Sequence, residues 1–112
     1  MKQSVFVLGI LAFAISGCSS KEDDFAEIVK CNLSAEKLNQ SQAMYEINIS
    51  AHKFSEDSGY VPKPEDAVRM GLKIREDLDL DKLNATKTEE LMLKIYNSSA
   101  CKKMHKQLEL ES

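Results

Sequence analysis

The sequence predicts an all-α domain, a small bundle of three or four helices. Apolar residues recur at three- and four-residue spacing through most of the chain beyond residue 22. Both prolines fall in one stretch, Gly59-Tyr60-Val61-Pro62-Lys63-Pro64, which makes a single strong break in mid-chain. One segment alone, Tyr45 to Ala51, alternates apolar and polar residues as a strand would, and no second segment of that quality exists to pair with it. A chain of 112 residues holds one small domain, which excludes the larger catalytic folds, and a 43% apolar fraction suffices for a core. The formal net charge of −3 gives no electrostatic basis for binding nucleic acid, which needs clustered positive charge.

The elements follow in order. Asp23 to about Cys31 carries Phe25, Ile28 and Val29 on one face, with Glu22, Asp23 and Asp24 at the end where the helix dipole favours acidic residues. Ser34 reads as the N-cap of a second helix reaching about Phe54 or Ser55, unless Asn32-Leu33-Ser34 is a kink in one longer helix. Read as helix, residues 38–54 show two opposed stripes, Leu38, Tyr45 and Ile49 against Met44, Ile47, Ala51 and Phe54. A helix packed on both sides would look this way.

Beyond the break, Pro64 at a first helical position with Glu65 and Asp66 behind it opens a third helix. Its broad apolar side holds Ala67, Val68, Met70, Leu72, Ile74 and Leu78, with Arg69, Lys73, Glu76 and Asp77 opposite. Thr86-Lys87-Thr88-Glu89 fits a capping box and starts a last helix to about Leu108, whose face Leu93, Ala100, Cys101, Met104 and Leu108 turns Cys101 inward.

The N-terminus follows a different logic. Lys2 precedes an apolar run, Val5 to Ile15, of about eleven residues, against the roughly 20 that a helix needs to span a bilayer. A basic start, a short apolar run and small residues after it describe a secretory signal peptide. The sequence Ile15-Ser16-Gly17-Cys18 then resembles the lipobox of bacterial lipoproteins: an aliphatic residue, two small ones, and the cysteine that is modified. The resemblance covers only about the first eighteen residues. It implies that Cys18 receives a diacylglyceryl group, that cleavage precedes it, and that the new amino terminus is acylated. Two or three acyl chains anchor a protein stably where one does not. Ser19 stands where an aspartate would retain such proteins in the inner membrane of enteric-type bacteria, so the resemblance implies a cell-envelope protein in the outer membrane, facing the periplasm by default, with surface display as the alternative.

On that reading residues 1–17 are a cleaved signal, 18–22 a short lipidated tether, 23–108 the helical domain and 109–112 a tail. Removing the first 17 of 112 residues leaves 95, a size at which a hydrophobic core alone gives a thin margin. With Cys18 lipidated, Cys31 and Cys101 remain as an even pair in an oxidising compartment, and a disulfide between them is expected. It would tie the first helix to the last.

Other chemistry-bearing patterns have plainer readings. Cys101 and His105 lie four apart on one helix and, with Cys31, would make a soft three-ligand metal site, but a disulfide with His105 on the surface accounts for them as well. Asp77, Asp79 and Asp81 alternate as in a calcium loop, yet Lys82 and Thr88 stand where glycine and glutamate are required. His52 reads as a surface residue. Lys102, Lys103 and Lys106 make a small basic patch at a helix end, which suits the dipole.

No set of nucleophile, base and oxyanion donors is visible, so an enzyme is not expected, nor is a cofactor. The leading expectation is a lipid-anchored, non-catalytic interaction module of the accessory, inhibitor or exclusion type, bound to membrane lipid through Cys18 and to an envelope protein partner. Tyr45, Tyr60 and Tyr96 are the candidate contacts. A small-ligand or metal-binding lipoprotein is the alternative.

Overall fold

The computed structural model describes residues 20–111; the signal segment and Cys18 lie outside the described residues. The domain is all-helical, as expected, with five α-helices: α1 (Lys21–Lys37), α2 (Ser41–Ser58), α3 (Pro64–Asp77), α4 (Ala85–Tyr96) and α5 (Ser99–His105). A 3-10 turn, Leu80–Lys82, sits between α3 and α4. Among the described residues there is no strand, and no helix is long and apolar enough to cross a membrane. Residues 45–51 are helical, within α2.

The ends of the helices explain where the sequence reading needs correction. Ser20 caps α1 by accepting from the Asp23 amide at 3.0 Å, so the helix starts at Lys21, inside the stretch expected to be tether. Ser34 is no cap. It is buried within α1, and its hydroxyl donates to the Cys31 carbonyl at 2.7 Å, which satisfies it inside its own helix. The chain breaks at Asn39 instead, in the left-handed region (φ 57°), with the Gln40 amide reaching back to the Ala35 carbonyl at 2.9 Å. Asparagine tolerates that conformation better than other residues with a Cβ. Gly59 (φ 76°) ends α2 in the same manner, and Pro64 opens α3 as expected.

The expected last helix is two. Asn84, rather than the Thr86–Glu89 box, caps α4 by accepting from the Lys87 amide at 2.8 Å. The chain then breaks at Asn97, and Ser98 caps α5. That break resets the helical phase. Met92 and Tyr96 are buried on α4 and Cys101 and His105 on α5, whereas Ala100 and Leu108 are exposed. The helix ends at His105, and the tail beyond it is not loose: Leu110 packs against the core, and its amide and carbonyl both bond to the Asn97 side chain, at 2.9 and 2.8 Å.

α1 is the hub and touches all four other helices. α2 packs against it as an antiparallel hairpin, with Lys21 Nζ donating to the Ser58 carbonyl at 2.6 Å. α3 runs alongside α1 in the same sense, Arg69 lying near Glu22 and Arg75 near Glu36. α4 runs opposite, from beside Asn39 to beside Lys30. The main core joins Ile28, Cys31 and Ala35 of α1 to Ala43 and Ile47 of α2, Tyr96 of α4 and Cys101 of α5. Ser34 and Ala35 are fully buried, and such small side chains let neighbouring backbones approach α1 closely.

The expected disulfide is present: Cys31 and Cys101 are bridged with their Cα atoms 5.4 Å apart. It spans 70 residues, so it constrains nearly the whole unfolded domain. Replacing both cysteines with alanine, or reducing the bridge, should lower stability by about 4 kcal/mol, read as a shifted midpoint in urea unfolding at fixed pH.

Candidate functional site

The residues singled out from sequence separate into a buried group and an exposed group. Tyr96 and His105 belong to the first. Their rings stack with centroids 4.1 Å apart and 14° between planes, and both are fully buried. This corrects two expectations, Tyr96 as a partner contact and His105 as a surface residue. His105 Nε2 lies 2.9 Å from the Tyr96 carbonyl, and Nδ1 accepts from the Gln107 amide at 2.9 Å. One partner is an acceptor and the other a donor, which fits the Nε2–H tautomer and leaves neither ring nitrogen for a metal. Burial also pushes the Tyr96 hydroxyl up. With both thiols in the disulfide, the Cys31, Cys101 and His105 set cannot act as ligands. Among the described residues there is no other cluster that would hold a metal.

Tyr60 is half-buried. Its ring packs between Phe25 of α1 and Phe54 of α2, with centroids at 5.8 and 6.1 Å, and thereby seats the α2–α3 loop on both helices. Of the three tyrosines only Tyr45 stands in solvent, 61% exposed. Ile49, one turn on, is 44% exposed beside it. Of the two stripes on α2, that of Ile47, Ala51 and Phe54 meets the core, while Tyr45 and Ile49 face outward.

α3 divides in the same way. Met70 and Ile74 are buried, whereas Val68 and Leu72, expected on the same broad side, are 65% and 63% exposed. The sequence shows a stripe wider than one partner helix can cover, and α3 has chiefly α1 to pack against.

The charges on α3 reinforce that packing. Asp66 accepts from the Lys63 amide at 3.1 Å and from Arg69 at 2.6 Å. The amide first and the guanidinium second hold its carboxyl below the ordinary aspartate range. Arg69 is raised in turn by Asp66, with Glu22 of α1 adding to the effect, and Lys73 is raised by Asp77, with Asp23 of α1 adding. Acidic residues at the start of α1 thus face basic residues on α3.

A cavity of about 310 Å³ lies along this seam and a wider one of about 720 Å³ beyond α3. The cations that line them are paired, Arg69 with Asp66, Lys73 with Asp77 and Arg75 with Asp81, while Glu22, Asp23 and Glu76 also stand in the walls. The alternating aspartates consequently point to three different cations, since Asp79 meets Lys82. They do not form a calcium loop.

What the geometry leaves exposed is two separate apolar pairs, each with its members one turn apart: Tyr45 and Ile49 on α2, Val68 and Leu72 on α3. A period-two pattern inside a helix was the visible signal for the first pair, because it places apolar residues on two faces. The wide stripe of α3 was the signal for the second. Compared with protein-family models, curated proteins and solved structures, the chain matches none.

His105→Ala should cost roughly 3 kcal/mol in urea unfolding through the lost stack and bonds, whereas Tyr45→Ala should stay within about 0.5 kcal/mol. Asp66→Ala should speed amide exchange in the first turn of α3. The lowered carboxyl stabilises the fold fully above the ordinary aspartate range, and that contribution disappears as pH falls through its lowered value. Exchange in variant and parent should therefore converge in acid.

Proposed function

We propose that this chain is a lipid-anchored cell-envelope protein that works as a non-catalytic protein-interaction module, of the accessory, inhibitor or exclusion type. The observation that carries the reading is the position of Ile15-Ser16-Gly17-Cys18, two residues before the capped start of α1. An acylated Cys18 lies within about 10 Å of Lys21 even with the chain fully extended. A rigid domain is then confined to the membrane surface, where its concentration relative to a membrane-bound partner is far higher than in free solution. Ser19 favours the outer membrane, facing the periplasm.

The apolar pair Tyr45 and Ile49 supplies the contact. An exposed tyrosine with an aliphatic neighbour on a rigid helix offers large apolar area at low cost in side-chain entropy, with a hydroxyl for orientation. Neither side chain belongs to the buried core, so both are free to meet a partner without disturbing the fold.

Crosslinking in cells that express a C-terminally tagged chain, followed by affinity purification and mass spectrometry, tests the reading. One envelope protein should be captured near stoichiometrically by the parent chain, and lost both with Cys18→Ser and with Tyr45→Ala/Ile49→Ala. Equal capture by Cys18→Ser would remove the anchor from the mechanism. No capture by the parent chain would overturn the interaction reading.

A further inference from the structure

We propose that the α2–α3 loop is a second membrane contact, which together with the N-terminal anchor sets one pole of the domain against a zwitterionic lipid surface. The inference rests on the lipid-anchor reading and adds an orientation to it. That pole gathers the start of α1, the end of α2, the loop Gly59–Lys63 and the start of α3, joined by the bond from Lys21 to the Ser58 carbonyl. Val61 at the loop is 76% exposed, more than any apolar side chain of α2 or α3. Beneath it Tyr60 is wedged between Phe25 and Phe54, so the loop is carried on a packed base.

The chain leaves the domain at this same pole, with Cys18 only two residues before Ser20. Anchored there, the loop lies at headgroup depth. A valine beside a proline buries at that depth without breaking an ion pair, and exposed Lys63 can extend its stem along the acyl boundary and keep its ammonium at the phosphates. Glu22, Asp23, Asp24, Glu56, Asp57 and Glu65 are exposed around the same pole and outnumber its exposed Lys21, Lys53 and Lys63, so the excess negative charge opposes approach to an anionic surface. Charge therefore selects the zwitterionic one.

The chain has no tryptophan, so Val61→Trp introduces a sole indole reporter, and Lys82→Trp places the same reporter at the opposite pole. Each variant, expressed with its signal segment and isolated in its membrane-processed form, is reconstituted into phosphatidylcholine vesicles with and without brominated acyl chains. The expected result is flotation of both, with blue-shifted emission quenched by bromine for Val61→Trp and unshifted, unquenched emission for Lys82→Trp. Replacing part of the lipid with phosphatidylglycerol should reduce the Val61→Trp quenching while flotation persists. Flotation with an unquenched Val61→Trp, or equal quenching of both reporters, overturns the loop contact and leaves the anchor standing. Quenching that rises with phosphatidylglycerol overturns the zwitterionic preference. Failure to float overturns the anchor reading, and the loop contact with it.

Discussion

The Cys31–Cys101 bridge joins the middle of α1 to α5, and nearly everything else in the domain is arranged around that join. α1 touches each of the other helices, while its buried face presents Ser34 and Ala35 beside the cysteine. Those small side chains let α2, α4 and α5 close on one helix without large groups between them. The resulting core is narrow, with Ile28, Ile47 and Tyr96 as its bulkiest apolar members. A domain of this size gains little margin from such a core, so a covalent constraint on the unfolded chain has a large relative effect. α3 stands outside that core cluster. It is held to α1 by the buried side chains of Met70 and Ile74 and by a seam of complementary charge, the latter an interaction that water and salt weaken.

The C-terminal end shows how a short chain specifies a terminus. His105 is buried with both ring nitrogens bonded to backbone groups and its ring stacked on Tyr96. A buried polar group is tolerable only when its bonds are made, so α5 has one register in which this histidine fits. Asn97 repeats the principle, its side-chain amide taking both backbone groups of Leu110. Lys102 pairs with Glu109 across the same turn. The basic patch at the helix end is thus partly used within the fold.

What remains outside is informative because the core does not need it. Tyr45 and Ile49 on α2, and Val68 and Leu72 on α3, point away from α1, and Val61 projects at the pole where the chain enters. In the proposed function the lipid anchor supplies concentration and the rigid helical faces supply contact, a division that needs no catalytic group. The proposed loop contact would then decide which of those faces a partner can reach, since a domain hung from one point is otherwise free to turn about it.

Much of this was legible in the sequence. Helical periodicity, the Gly59–Pro64 break and Pro64 at a helix start are local signals, decided by φ preferences and by which groups a single turn can satisfy. The alternation at 45–51 was resolved as helix because a strand has no ladder without a partner. The pairing of Cys31 with Cys101 followed from cysteine arithmetic once Cys18 was assigned elsewhere. Breaks at Asn39 and Asn97 were missed, since asparagine enters a left-handed turn or a cap only when neighbouring packing rewards it. Burial was decided by the tertiary structure alone. Which face of α2 or α3 is covered depends on how many helices stand around it, and Tyr96 and His105 went inward because the break at Asn97 turned α5 onto α1 and α2. Periodicity states that a face is apolar; only the placement of other helices determines whether that face meets a neighbour or water.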